Sequence, residues 1–309
     1  MLVKFKAWTF LLLCNLFWSG NMIVGKWVTD YFSPIWMVSI RWFIAFLFLF
    51  PLAFFLEKPN WLKIIKENYI VLLFMSITGT FVYNWLTYVA LQYTTSLNAS
   101  LICALNPAII MIFSFFILKI KIKRVQVLGL IFSFIGVLLV ITKGKPFLAF
   151  QLNYNIGDGF MILCVIMWGL YSVIGKKANH IPPITTIAIT AFFGCLATIP
   201  FLINTPLDFP NLTSASILGI IFIGVFPSFL SFLLWNIGNR MLTPAVAGLS
   251  INSLCMFTAI ISFIMGKQIL ISQISGGIII VSGIILSSNL KLNYLNKRNE
   301  IVKNYTNQG

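Results

Sequence analysis

Arg41 is the residue of this 309-residue chain whose type and place most invite chemistry, because no other charged side chain falls well inside an apolar run. It lies seven residues beyond Pro34, about 10 Å into a helix starting there at 1.5 Å per residue. A guanidinium in hydrocarbon costs on the order of 3 kcal/mol on insertion scales, so something must satisfy it. Either it faces a cavity and attracts an anionic group such as a carboxylate, or it snorkels outward or caps backbone carbonyls. Trp18 and Trp168 stand in matching surroundings, each four residues after a cysteine. A tryptophan near the middle of an apolar run packs on neighbours or lines a cavity. Tyr171 shares a helical face with Trp168. Thr80, Tyr83, Asn84 and Thr87 make a polar stripe at helical spacing, and Asn98 and Asn106 follow the same logic. Such stripes in lipid must face protein or water, so they bond neighbouring helices or line a path. Pro107 kinks its run, as a gate hinge or as a shaper of packing.

Other chemistry is thinly supplied. Asp30, Glu57, Glu67, Asp158, Asp208 and Glu300 fall at the ends of apolar runs or between them, as does the single histidine, His180. No paired acids and no His/Glu cluster suggest a metal, a cofactor or hydrolytic chemistry. An intramembrane enzyme stays as an alternative, as does a channel-like or structural membrane protein. Proton-coupled carriers use intramembrane acids or histidines, and their absence from the runs points to facilitated flux or exchange. Asp158, between Gly157 and Gly159, caps a helix N-terminus or lines an outer vestibule. The five cysteines, Cys14, Cys103, Cys164, Cys195 and Cys255, sit in apolar runs, where they pack as small hydrophobes.

The elements that must position these residues are membrane helices. The chain is 60% hydrophobic and 9% charged, with a mean hydropathy of +0.98, far from the composition of a soluble domain. Stretches long enough to cross a bilayer core of about 30 Å lie near 8–28, 34–56, 69–91, 96–118, 125–142, 157–175, 184–204, 214–237, 242–265 and 270–290. The first begins after Lys4 and Lys6 like a signal peptide, but its bulky Leu, Phe and Trp and the lack of a small-residue cleavage site make it a span. A net charge of +15 does not imply nucleic acid here. Lys4, Lys6, Lys58, Lys63, Lys66, Lys119, Lys121, Lys123, Arg124, Lys176, Lys177, Arg240, Lys291, Lys297, Arg298 and Lys303 fall on one side of the ten spans, and Lys26, Lys143, Lys145 and Lys267 on the other. That bias places both termini in the cytoplasm. The expected partners are a small-molecule substrate and the lipid bilayer, and a monomer satisfies this reading.

The ten spans fall into two copies. Trp18, Gly25 and Lys26 recur 150 residues later as Trp168, Gly175 and Lys176, while Gln126, Gly129 and Gly136 recur 147 later as Gln273, Gly276 and Gly283. Five crossings per copy is odd, so the second inserts upside down relative to the first, an architecture associated with alternating access. The expected fold is thus an all-α polytopic membrane protein of ten transmembrane helices in two inverted five-helix repeats, 1–146 and 147–290, with a cytoplasmic basic tail at 291–309. The glycines, with Ser133 and Ile280 between them, are expected to pack helices closely. The copies are not equivalent: Arg41 has no counterpart near Thr190, and Asn84, Asn98 and Pro107 correspond to Ser231, Ala245 and Leu254.

Several segments resemble the drug/metabolite transporter superfamily, EamA branch. Gly157, Asp158 and Gly159 through Trp168, Gly169, Leu170 and Tyr171 to Lys176 are similar to its sixth helix. Asn15 through Asn21, then Pro34 and Arg41, look like the start of its first two helices. Asn98, Ala99 and Ser100 to Asn106 and Pro107, followed by Gln126, Gly129 and Gly136, resemble its fourth and fifth. The resemblance covers nearly the whole chain. It implies a central cavity lined by the first four helices of each repeat, and export or exchange of small metabolites such as amino acids. The family often carries Glu where this chain has Ile120 and Lys267, and a proline where it has Leu254. Together these readings make Trp18, Asn21, Arg41, Tyr83, Asn84, Asn98, Trp168 and Tyr171 the candidates for a substrate path, and Pro107 the candidate hinge.

Overall fold

The computed structural model describes residues 2–94, 96–150, 155–206, 212–266, 268 and 270–288. The basic tail at 291–309, with Lys267, Asp208 and Glu300, lies outside them. The apolar runs fold into ten helices. These are α1 (Leu2–Val28), α2 (Pro34–Leu56), α3 (Trp61–Tyr93), α4 (Ser96–Cys103 and Asn106–Leu118), α5 (Arg124–Ile141), α6 (Ile156–Ala178), α7 (Pro183–Leu202), α8 (Ser214–Met241), α9 (Pro244–Ile264) and α10 (Ile271–Ser288). Nine of these described helices are long and apolar enough to cross a membrane, and α10 supplies a shorter apolar one. Start signals in the sequence act as written: Pro34, Pro183 and Pro244 sit in first turns, where a missing N–H costs nothing.

The third helix begins eight residues earlier than hydropathy places it. Asn60 accepts a hydrogen bond from the Lys63 backbone N–H at 3.2 Å, so the segment carrying Lys63, Lys66 and Glu67 is helical rather than loop. Asn68, at φ −129° and ψ 15°, bends this first portion from the apolar remainder.

Close pairings obey a pseudo-two-fold. The contact of α1 with α8 matches that of α6 with α3, α1 with α9 matches α6 with α4, and the central pairs α2·α7 and α5·α10 map onto themselves. The repeated glutamines and glycines build the last of these. Gln126 Oε1 accepts from the Lys123 N–H at 2.8 Å, and Gln273 Oε1 from the Leu270 N–H at 3.0 Å, so each glutamine closes the first turn of its helix. A Cβ at Gly129 would stand 2.7 Å from the Gly283 carbonyl oxygen, and one at Gly136 2.6 Å from that of Gly276. Backbone meets backbone at two crossings, a closeness that small residues permit in lipid.

Two irregularities recur at equivalent places. α3 and α8 each contain a π-helical stretch, Ser76–Val82 and Gly224–Leu230. Nearby polar side chains take up carbonyls there: Asn84 Nδ2 donates to Gly79 O (2.8 Å) and Thr80 O (3.0 Å), Ser228 Oγ to Ile223 O (2.8 Å) and Ser231 Oγ to Phe226 O (2.9 Å). α4 breaks at 104–105, and α9 passes through a 3-10 turn at Ser250–Asn252. Pro107 therefore opens the second half of α4 rather than bending a continuous helix, and α9 is interrupted although Leu254 stands where a proline would. Pro107→Ala is accordingly expected to leave the break in place, with a change in thermal stability within about 1 kcal/mol. A circular-dichroism melt checks this, and a loss of several degrees beyond that would return the break to the proline.

Candidate functional site

The discontinuities of α3, α4 and α9 surround a cavity near the centre of the helix bundle. It is lined by Trp18, Asn21 and Met22 of α1, Arg41 of α2, Tyr83, Asn84 and Thr87 of α3, Cys103 and Asn106 of α4, Trp168 of α6, Phe232 of α8, and Ile251 and Leu254 of α9. Among the described residues α5 and α10 contribute nothing to this lining, and neither does α7, so the lining falls one helix short of the four per repeat that the resemblance implies. The cavity holds about 20 Å³, room for about one water molecule. A metabolite needs several hundred Å³, so helices must part to admit one.

Arg41 is 2% exposed and bridges the two repeats. Its Nε donates to Ser228 Oγ on α8 and its Nη1 to the Tyr88 hydroxyl on α3, both at 2.7 Å. The guanidinium carbon lies 5.7 Å from the Trp42 ring centre and 5.6 Å from that of Tyr88. Among the described residues no carboxylate pairs with it, and Nη2 has no hydrogen bond. A buried cation with two neutral hydroxyls and two aromatic faces for company retains most of its charge for something else.

The other candidates divide. Trp18, Asn21, Tyr83, Asn84 and Trp168 all line the same cavity as Arg41. Trp18 and Trp168 meet edge to face across the pseudo-axis at 4.9 Å, and Tyr83 lies 4.9 Å from Trp168. Trp18 Nε1 also donates to Pro227 O at 3.1 Å. Tyr171 stands outside the lining. Its ring lies 5.1 Å from that of Trp168 and its hydroxyl accepts from Asn236 Nδ2 at 2.8 Å. Asn98 is elsewhere too: its Nδ2 donates to Asp158 Oδ2 at 3.2 Å. Asp158, 3% exposed, accepts from the Asn155 backbone N–H at 2.6 Å, as a cap should, and is also bonded by the Thr94 hydroxyl. The carboxylate thus ties the α3–α4 junction to the start of α6. Pro107 lies beside the cavity-lining Asn106.

Tyr88, Trp42, Phe232 and Trp235, not singled out by the sequence, complete the site together with Asn106, which the sequence does single out. Tyr88 donates its hydroxyl to Asn21 Oδ1 at 3.0 Å while receiving Arg41. It lies one turn past Asn84, on the same helical face as the polar stripe. Trp42, Phe232 and Trp235 extend the ring cluster around Trp168. Asn106 Nδ2 donates to Cys103 O at 2.9 Å, while its buried Oδ1 has no partner among the described residues. The cavity therefore offers a cationic fork, an open amide acceptor and aromatic walls. Among the described residues no group of His, Cys, Asp and Glu could hold a metal.

Two segments of the chain, residues 5–142 and 155–289, match the EamA-like transporter family model. An uncharacterized transporter of Bacillus subtilis, YyaM, is 31% identical over 281 residues, 89% of this chain and 91% of its own. The aromatic amino acid exporter YddG of Ancylobacter novellus is 22% identical over 164 residues, 53% of this chain and 56% of its own. A crystal structure superposes with a TM-score of 0.75 over 92% of this chain and 95% of the other, at 18% identity, which is a likeness of fold. Ten helices in two matched halves, closed round a polar spot in an apolar bundle, are what such a carrier requires, and the chain belongs to the EamA-like transporter family.

Proposed function

We propose that this transporter exports or exchanges amino acids or related carboxylated metabolites across the cytoplasmic membrane by alternating access, with both termini in the cytoplasm. The observation that carries the reading is Arg41, a buried cation in the central cavity without a carboxylate partner among the described residues. A substrate carboxylate would displace neutral hydroxyls from the guanidinium, and charge-assisted hydrogen bonds are roughly twice as strong as neutral ones. Asn106 Oδ1 gives the same cavity an acceptor for a substrate ammonium. The rings of Trp18, Tyr83, Trp168 and Phe232 suit an apolar side chain, in keeping with the name of the exporter among its relatives. A cationic drug would meet Arg41 with no carboxylate to offset it. The lack of an acid in the lining favours facilitated flux or exchange over a proton relay.

The test compares metabolites released by cells with and without the protein, then measures flux of the accumulated compound in proteoliposomes beside its analogue lacking the amine. Saturable flux that prefers the amino acid is expected. Flux linear in concentration would make the protein a channel, and chemical alteration without flux would make it an enzyme.

A further inference from the structure

The pseudo-two-fold relates two hydrogen bonds whose partners have exchanged places. Asn21 of α1 corresponds to Tyr171 of α6 by the 150-residue offset of the repeated tryptophans. Tyr88 of α3 corresponds to Asn236 of α8 by the 148-residue offset of the two π-helical stretches, one residue more than the sequence repeat suggests, so that Asn84 corresponds to Phe232 rather than to Ser231. In the first copy the tyrosine lies on the third helix and donates to the asparagine at 3.0 Å. In the second it lies on the first helix and accepts from the asparagine at 2.8 Å. Both pairs are buried.

Each pair stands on the side of the cavity toward one end of the bundle, the first with Asn21 in the cavity wall itself. Asn21 and Tyr88 precede by seven and five residues the helix ends at Val28 and Tyr93, and Tyr171 and Asn236 precede by seven and five those at Ala178 and Met241. Because the repeats are inverted, these ends lie on opposite membrane faces. Beyond each pair a lysine at matched positions closes the same two helices: Lys26 donates to Leu91 O, and Lys176 to Arg240 O (3.1 Å) and Leu242 O (2.5 Å). Lysine is suited to the free carbonyls at a helix C-terminus. The cavity between is sealed down to about 20 Å³.

We infer that Tyr88–Asn21 and Tyr171–Asn236 are the two locks of the transport path, one for each membrane face, and that the carrier opens on one side by breaking one pair while the other holds. The inference rests on the alternating-access reading above. The locks differ in one respect: Tyr88 also holds Arg41, so a substrate drawing the guanidinium away loosens the first lock. Tyr171 has no such link, and its ring is held against Gly79, where a Cβ would stand 2.1 Å from Tyr171 Cδ2.

Cys103, a native thiol in the cavity lining, reports the opening. Full-length protein is treated in cells and in inverted vesicles with a membrane-impermeant maleimide, and modification of Cys103 is read by peptide mass spectrometry. Tyr88→Phe and Tyr171→Phe each remove one hydroxyl and keep the ring. Tyr88→Phe is expected to raise labelling about tenfold from the face opposite the termini, and Tyr171→Phe about tenfold from the face bearing them. Lys26→Met and Lys176→Met, which leave the cavity untouched, should reproduce the same two directions. A merely structural role would lower melting temperature in both without any difference between faces. Equal labelling from the two faces, or no change in any of the four variants, overturns the locks. A wild-type protein that moves no amino acid sinks the function proposed above instead, and the labelling still decides for or against the locks.

Discussion

An Arg41→Gln carrier is expected to fold normally and to move carboxylated substrates at least about 30-fold more slowly than the wild type. Removing one partner of a buried, hydrogen-bonded charge pair costs about 2–5 kcal/mol, and the partner in this case is the substrate. Folding is spared because the guanidinium is itself a burden in the bundle: it is 2% exposed and bonded only to the neutral Ser228 and Tyr88 hydroxyls. The shorter neutral amide places its nitrogen near where the guanidinium Nε stands, so it can still meet Ser228, without the insertion cost of a charge. Arg41→Lys is expected to fall between. It keeps the positive charge but, as a point charge on a flexible stem, cannot hold two partners and a carboxylate in one plane. Counterflow in proteoliposomes, alongside size-exclusion profiles, separates lost transport from lost protein. Full transport of every carboxylated substrate by a well-folded Arg41→Gln protein would remove Arg41 from the path.

Much of this site was legible in the sequence because a lipid environment leaves few options. A lone arginine in an apolar run either snorkels to a membrane edge or faces the protein interior, and Arg41 does the second. Ten spans in two copies follow from hydropathy and a repeat, and the matched Trp18 and Trp168 meet at the pseudo-axis. What stayed hidden depends on backbone irregularity. Hydropathy cannot show that α3 and α8 widen into π-helical turns, so Asn84 reads as a free lining residue although its amide is spent on Gly79 and Thr80 carbonyls. Asn98 lies in the first half of α4, five residues before the cavity-lining Cys103, where Asp158 claims it. Tyr88 falls at the stripe's spacing, one turn past Asn84, but an aromatic ring there is equally a packing residue, and only the approach of α2 reveals its bond to Arg41. Pro107 attracts attention as a breaker, but the equivalent interruption of α9 at Ser250–Asn252 has no proline at the matched position.

Gly136→Val is expected to cost about 3 kcal/mol or more and to remove most of the folded protein, although Gly136 touches no part of the cavity. A Cβ there would stand 2.6 Å from Gly276 O, 2.7 Å from Ile280 N and 2.8 Å from Ile280 Cγ1. Two of these atoms are backbone, so no rotamer change relieves the clash and α5 must move off α10. The movement cannot stay local, because the second crossing, Gly129 against Gly283, is equally tight and both helices are stiff between them. Helices in lipid associate through close packing rather than through expulsion of water, so a gap of about 1 Å along the seam forfeits a large share of the contact energy. Against a total stability of about 5–15 kcal/mol, such a loss is severe. The pseudo-two-fold supplies an internal check: Gly276→Val meets Gly136 O at 2.7 Å and Val140 N at 3.0 Å, and should fail similarly. Gly159→Ala is the control, since a Cβ at that helical glycine meets nothing within 4 Å and gains helix propensity. Detergent-solubilised yield and fluorescence-detected size exclusion should place Gly159→Ala with the wild type and both valine variants far below it. Equal monodisperse yields for all of them would mean that α5 and α10 separate at little cost, and the repeated glycines would need another explanation than this seam.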